Sequence, residues 1–137
     1  MKTVLFACVH NAGRSQMAAA FFNVLADPSH ARAISAGTKP GKQIHPEVIQ
    51  VMKEAGIDLS HARPQLLTDD LARSAHLLIT MGCGDACPSI PSLRRDDWPL
   101  DDPNGQSLEK VRKIRDEIRE RVQDFIEKEN LQWRREK

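Results

Sequence analysis

The sequence Thr3-Val4-Leu5-Phe6-Ala7-Cys8-Val9-His10-Asn11-Ala12-Gly13-Arg14-Ser15 decides the fold of this chain. Its first part, up to Cys8, is a short and largely apolar run, which is typical of a strand buried on both faces of a parallel sheet. After Ser15, apolar residues recur at helical spacing as far as Leu25. The stretch therefore predicts a strand, a tight loop and a helix, in that order.

Strand and helix patterns alternate along the rest of the chain. Gly56 is expected to stop one helix, and Thr68 is expected to cap the next. Because strands that alternate with helices form a parallel sheet covered on both faces, we expect an α/β fold. We predict one domain over residues 1–129 and a mobile C-terminal tail over residues 130–137. Further strands are predicted over residues 31–37 and 75–81, and a short fourth strand is predicted to end within residues 98–100. Helices are predicted over residues 46–55, 66–74 and from 107 to the late 120s.

The composition excludes several classes of protein. Twenty Lys and Arg nearly cancel nineteen Asp and Glu, so the chain lacks the basic excess of a nucleic-acid-binding protein. It has no Tyr and only 4% aromatic residues, which argues against base-stacking surfaces. No apolar run approaches the roughly 20 residues of a membrane span, and the N-terminus lacks the apolar region of a signal peptide. We therefore expect a cytoplasmic protein that binds neither nucleic acid nor membrane.

The loop after the first strand fits the pattern Cys-x5-Arg-Ser. Between a strand and a helix, the N–H groups of such a loop can point inward and bind a tetrahedral oxyanion. Arg14 can hold two anion oxygens in a fork, and the same positive field favours a nucleophilic thiolate at Cys8. Gly13 allows the tight turn, and Ser15 can donate a hydrogen bond to the sulfur. The predicted oxyanion-binding residues are Val9, His10, Asn11, Ala12, Gly13, Arg14 and Ser15.

A structural interpretation of the same loop remains open. Cys8 can be an inert thiol at the end of a strand, and Arg14 can be a surface salt-bridge partner. His10 has no second His or carboxylate near it in the sequence, so a metal site there is not expected.

Together with later motifs, the loop resembles the low-molecular-weight protein tyrosine phosphatases and their arsenate-reductase relatives, over nearly the whole chain. The resemblance implies a four-stranded parallel sheet with helices on both faces and the anion loop at its C-terminal edge. The motifs of the reductase branch are Gln16-Met17-Ala18, Ser35-Ala36-Gly37, Ala55-Gly56-Ile57-Asp58, Thr80-Met81-Gly82-Cys83-Gly84-Asp85 and Trp98-Pro99-Leu100-Asp101-Asp102-Pro103.

The resemblance also implies a general acid. In the phosphatases, an Asp before Pro in a late loop protonates the leaving group, and the matching residue is Asp102 rather than its neighbour Asp101. Asp-Pro pairs are also common as simple turns, so a structural role for Asp102 remains open. Asn104 and Gly105 follow where phosphatases often carry tyrosines, and this departure argues against phosphotyrosine as the substrate.

Cys83 and Cys87 follow the third predicted strand. A zinc pair would lack half of its ligands, and two incidental thiols remain an alternative. Both cysteines lie past the C-terminal end of a central strand, at the same sheet edge as Cys8, so they can approach it. Three cysteines in a reducing compartment are more often chemical than structural.

By resemblance, the implied activity is the reduction of arsenate to arsenite. Cys8 attacks arsenic, Cys83 attacks the Cys8 sulfur, and Cys87 then forms a Cys83–Cys87 disulfide that thioredoxin reduces. The alternatives are a mycothiol- or glutathione-dependent reductase with a glutaredoxin-like partner, and a low-molecular-weight phosphatase. We expect a monomer with no bound cofactor, and phosphate as a competing oxyanion. We also expect no metal, because the acidic residue that holds potassium with Asn11 in some relatives is replaced by Ala19.

Overall fold

The computed structural model describes residues 1–82 and 93–132, and four strands and four helices lie within them. The strands form an all-parallel sheet in the order β2-β1-β3-β4, with β1 and β3 at its centre. The predicted fold class is therefore confirmed. The elements are β1 (Lys2–Cys8), α1 (Arg14–Leu25), β2 (Ala31–Gly37), α2 (Pro46–Glu54), α3 (Asp69–Arg73), β3 (Leu77–Thr80), β4 (Arg94–Asp97) and α4 (Leu108–Lys128).

Both faces of β1 are buried, as its apolar sequence predicts. Alternate side chains of a strand point to opposite faces, so Phe6 and Cys8 lie in the larger cluster with α1, α2 and α4. Leu5 and Ala7 lie in the smaller cluster, against α3. Cys8 thus ends a strand that is fixed by packing on both sides. No helix in residues 1–82 or 93–132 combines the length and the apolar character that a membrane crossing needs.

Three predicted elements have clearly different bounds in the structure, and the first is the strand predicted over residues 75–81, which is Leu77–Thr80. The helix predicted over residues 66–74 is shorter, because Leu66 forms a parallel bridge with Gly37, in which Leu67 donates its N–H to Gly37 O, before the helix begins at Asp69. Thr68 caps that helix as predicted, with its hydroxyl accepting from Leu71 N. The fourth strand ends at Asp97 and not within residues 98–100. It is an exposed, charged edge strand, so it carries no apolar pattern from which its bounds could be predicted.

The end of α4 is held to the rest of the domain. Asn130 has a positive φ of 57° and ends the helix in a Schellman arrangement, in which Leu131 N donates to Ile126 O. Leu131 is buried, and its carbonyl accepts from Asp27 N. The first residues of the predicted tail therefore contact the core. Residues 133–137 lie outside the described part of the chain.

An ion-pair cluster joins α2 to α4 and predicts a pH-dependent stability. Hydrogen bonds from Arg112, with a further contribution from Arg115, lower the pKa of Glu54 below its ordinary 4.5. A carboxyl with a lowered pKa stabilises the fold above its ordinary pKa, and this contribution is lost as the pH falls through the lowered value. We expect Glu54→Gln to lower the urea midpoint of unfolding at about pH 7 and to have no effect in acid below the lowered pKa.

The matched control for this prediction is Glu120→Gln, which removes an exposed carboxyl from α4, the helix that carries Arg112 and Arg115. Urea titrations of both variants and the wild type at several pH values give the comparison. A Glu54→Gln effect that is equally large at every pH would contradict the role of the ion pair.

Candidate active site

The loop between β1 and α1 turns its carbonyl groups outward. The peptide bonds in the described chain are trans, so each carbonyl points away from the N–H of the next residue. The carbonyl oxygens of residues 8–12 all accept hydrogen bonds from the surrounding protein, and the N–H groups of residues 9–13 therefore face the interior of the loop. The donors to these carbonyls are, in order, Thr38 N, Lys39 N, Gly41 N, Gln16 Nε2 and His45 N.

The N-terminus of α1 adds further donors to the same concave surface. Gly13 is the N-cap residue of this helix, and no side chain of the described residues caps it. The first N–H groups of a helix lack partners within the helix and carry partial positive charge. The loop and the helix start thus form a cradle for an anion, which we call the oxyanion cradle (residues 9–15). This geometry is the one that the sequence predicts.

Cys8 Sγ lies at the bottom of the oxyanion cradle and is held by two polar contacts. It is 2% exposed, lies 2.8 Å from Ser15 Oγ, and accepts from Asn11 N at 3.3 Å. The orientation of the Asn11 side-chain amide determines the direction of the Ser15 hydroxyl proton. Gln65 N, which can only donate, faces Asn11 Oδ1, so Asn11 Nδ2 faces Ser15 Oγ. Because the Ser15 oxygen accepts there, its proton is directed at the sulfur and stabilises negative charge on it.

The Ser15 hydroxyl should therefore affect how fast Cys8 reacts. A hydrogen bond to a charged group contributes about 1.5–3 kcal/mol. A thiolate without this bond is also more nucleophilic, so only about half of that energy appears in the rate, and Ser15→Ala should slow alkylation of Cys8 by iodoacetamide roughly 3- to 20-fold at pH 7. Mass spectrometry of the Cys8 peptide measures the rate. In guanidinium chloride, wild type and variant should react at equal rates. Equal rates in the folded state would mean that the hydroxyl does not act on the sulfur.

Two glutamines that the sequence analysis did not single out as site residues fix the cradle. Asn11 has a positive φ of 51°, a conformation that Asn tolerates better than most residues. Gln16 Nε2 donates to Asn11 O and Oδ1 and to Arg63 O, each at 3.1 Å. Gln65 binds Asn11 through its backbone N–H, and its side chain donates to Ser35 O. No local pattern could identify Gln65, because it is distant from Asn11 in sequence.

Close contacts require glycine at two points around the cradle. A Cβ on Gly37 would lie 2.6 Å from Val9 O, so the end of β2 can approach the loop only without a side chain. A Cβ on Gly13 would lie 2.7 Å from Pro103 Cγ. The bare Gly13 backbone therefore allows the Asp102-Pro103 turn to pack against the cradle.

Arg14 and Asp102 lie side by side at the cradle. The Arg14 side chain is 8% exposed and donates Nη1 to Leu100 O at 3.1 Å. Its Nη2 lies 3.9 Å from Asp102 Oδ2. Arg14 is therefore a buried residue of the site and not a surface salt-bridge partner. Asp102 also accepts from Asn104 N at 3.0 Å, so it shapes a turn and is half-exposed beside Arg14 at the same time.

Asp101 is paired with a lysine of α4. Its carboxylate lies 2.8 Å from Lys110 Nζ, and the hydrogen bond from this ammonium lowers the pKa of Asp101. The carboxylate of Asp102, by contrast, lies beside the Arg14 guanidinium, with Oδ2 3.9 Å from Nη2. The geometry therefore supports the choice of Asp102 over Asp101 as the candidate acid.

The remaining predicted site residues have varied positions. Val9 is half-buried, Ala12 is buried, and the exposed His10 has its Nδ1 3.1 Å from Lys39 O. Cys83 and Cys87 lie outside the described residues. Among residues 1–82 and 93–132, no three His, Cys, Asp or Glu side chains are grouped so as to hold a metal ion. The absence of a bound metal stays a prediction.

Comparisons with known proteins find several arsenate reductases that are similar to this chain. The chain is similar to a putative arsenate reductase of Halobacterium salinarum, with 40% identity over 129 residues that cover 91% of each chain. It is 35% identical to an arsenate reductase of Staphylococcus aureus strain Newman, covering 90% of this chain and 95% of that one. Among solved structures, a Corynebacterium glutamicum thioredoxin-dependent arsenate reductase has 41% identity and a TM-score of 0.82. That match covers 96% of this chain, which spans 63% of the Corynebacterium chain.

A family model gives the same assignment. The model of the low molecular weight phosphotyrosine protein phosphatases matches residues 3–136. The Cys-x5-Arg-Ser loop, the parallel sheet and these similarities together confirm the family that the sequence motifs indicate. The chain belongs to the low-molecular-weight phosphotyrosine protein phosphatase family.

Proposed function

We propose that this chain reduces arsenate to arsenite, with Cys8 as the nucleophile. The observation that carries the proposal is the oxyanion cradle. The carbonyl oxygens of residues 8–12 all accept hydrogen bonds from the surrounding protein, so the N–H groups of residues 9–13 point toward the side on which the Cys8 sulfur lies. A site of this form suits a tetrahedral oxyanion. The names of the Halobacterium, Staphylococcus and Corynebacterium relatives support arsenate as that oxyanion.

The first step is attack on arsenic. Arsenate is bound by the cradle N–H groups and by Arg14, and the Cys8 thiolate forms a sulfur–arsenic bond. An oxygen leaves arsenic and takes a proton from Asp102, which acts as general acid. Phosphate has nearly the same shape and charge, so it competes for the same cradle.

The second step passes two electrons to arsenic. Cys83 attacks the Cys8 sulfur, the sulfur–arsenic bond breaks, and its electron pair leaves with arsenic, which passes from +5 to +3. Cys87 then attacks Cys83, which frees Cys8 and gives a Cys83–Cys87 disulfide. Support comes from the sheet: Thr80 at the end of β3 pairs with Ala7, so the chain leaves β3 beside Cys8, three residues before Cys83.

The disulfide requires an external reductant. The thioredoxin-dependent Corynebacterium relative supports thioredoxin as this partner, with a mycothiol or glutathione system as the alternative donor. Both electrons come from thiols, so no bound cofactor is needed. We propose a cytoplasmic monomer, in keeping with this reducing chemistry.

A phosphatase is the second candidate function. The family name favours it, and Cys8, Arg14 and Asp102 together suffice to hydrolyse a phosphate ester. A hydrolase has no use for Cys83 and Cys87, however. The cysteine pair is therefore the feature that separates the two functions.

The test follows arsenite production with thioredoxin, thioredoxin reductase and NADPH. We expect steady turnover by the wild type, and loss of turnover in Cys83→Ser and in Cys87→Ser. Rescue of an inactive wild type by mycothiol or glutathione with its redoxin would place the second thiol outside the protein. Brisk aryl phosphate hydrolysis with no arsenite from any donor would contradict the proposed function.

A further inference from the structure

The Arg14 guanidinium lies against the bare backbone of Gly82. Gly82 follows β3 and has a positive φ of 100°. A Cβ at this position would lie 2.4 Å from Arg14 Nη1 and 3.3 Å from its central carbon, and real Cβ atoms essentially never approach another atom within 3.0 Å. A side chain at residue 82 and the present position of the guanidinium therefore exclude each other.

Among the described residues, the other contacts of Arg14 leave one edge of the guanidinium for a ligand. Nη1 is the atom nearest Gly82, and it also donates to Leu100 O. Nη2 lies 3.9 Å from Asp102 Oδ2, beyond hydrogen-bond distance. The edge formed by Nε and Nη2 is thus the one that can hold two oxygens of an anion in a fork.

Gly82 differs from the other glycines with positive φ in the described residues. Gly56 and Gly105 have φ values of 85° and 74°, and a Cβ on either would meet nothing within 4 Å. At those two positions glycine is favoured only because of the positive φ of the backbone. At Gly82 the missing side chain also makes room for a residue of the oxyanion cradle.

We propose that Gly82 is a positioning residue that sets where the Arg14 guanidinium lies, and so sets the affinity of the cradle for arsenate and phosphate. A Cβ at residue 82 displaces Nη1 from Leu100 O and moves the fork away from the anion. A misplacement of about 1 Å in a preorganised site is enough to cost up to about 100-fold. The proposal rests on the proposed function only in taking Arg14 as an oxyanion ligand.

The test measures phosphate binding by isothermal titration calorimetry, which needs no reduction. We expect Gly82→Ala to weaken phosphate binding about 10- to 100-fold and to raise the KM for arsenate more than it lowers kcat. Gly56→Ala is the matched control, because it introduces the same side chain at a positive φ where no atom is contacted. It should leave phosphate affinity unchanged.

A second comparison isolates the contact with Arg14. Lysine lacks the guanidinium that the Cβ would strike, so Gly82→Ala in an Arg14→Lys background should change phosphate affinity less than about threefold. An undiminished effect there, or wild-type affinity in the single variant, would overturn the proposal.

The two variants also distinguish the outcomes if Gly82→Ala fails to fold. If Gly82→Ala does not fold, the proposal requires that Arg14→Lys/Gly82→Ala does fold, as seen by circular dichroism. If neither folds, the backbone alone requires glycine, and the proposal is wrong. A wild type that binds phosphate but reduces no arsenate would contradict the proposed function and leave the role of Gly82 standing.

Discussion

Replacement of Cys8 by serine should abolish arsenate reduction, with a loss on the order of 10⁶-fold, as when an enzyme loses its sole nucleophile. A serine hydroxyl is not ionised at neutral pH and cannot form the sulfur–arsenic bond or the later disulfide. Arsenite formed per minute with the thioredoxin system measures the change.

The same variant should still bind the oxyanion. Its cradle N–H groups and Arg14 are unchanged, and a serine oxygen can accept the hydrogen bonds that Asn11 N and Ser15 direct at the sulfur. Calorimetry should therefore find phosphate binding within a few-fold of the wild type. Turnover that survives the loss of Cys8 would show that the nucleophile is another residue.

Asp102→Asn should lower kcat about 10²- to 10⁴-fold, the usual contribution of a positioned general acid. The amide keeps the size of the carboxyl, and its oxygen can still accept from Asn104 N, so the turn is preserved. It cannot give a proton to the departing oxygen. Single-turnover arsenite formation under saturating arsenate measures the chemical step.

Asp101→Asn is the matched control for this prediction. It is the adjacent residue, it loses only an exposed ion pair with Lys110, and exposed pairs contribute little. We expect kcat to change less than about threefold. A larger loss in Asp101→Asn than in Asp102→Asn would reverse the assignment of the acid.

The fold and the centre of the site could be predicted because their signals are local. The apolar run that ends at Cys8 and the helical pattern after Ser15 specify a strand, a loop and a helix with few alternatives. A loop between a strand and a helix has backbone N–H groups that can bind an anion, and Arg14 and Ser15 come at its end. The predicted contact between Ser15 and the Cys8 sulfur is confirmed at 2.8 Å.

Gln16 acts on the adjacent loop, but two of the other residues that were missed act over long sequence distances. Gln65 orients Asn11, and Gly82 makes room for Arg14, yet neither lies in the loop that it supports. Such contacts arise from sheet topology, which brings the ends of β1, β2 and β3 to one edge. The edge strand β4 was misplaced for a related reason, since its charged residues lack the apolar alternation by which strands are identified.

The central claim is that this chain supplies both electrons to arsenate from its own cysteines. The most direct test mixes fully reduced protein with arsenate, without thioredoxin or any added thiol, and measures arsenite and free thiols. We predict one arsenite per chain, with one free thiol left of the three cysteines. No arsenite, with all three thiols still free, would contradict the claim.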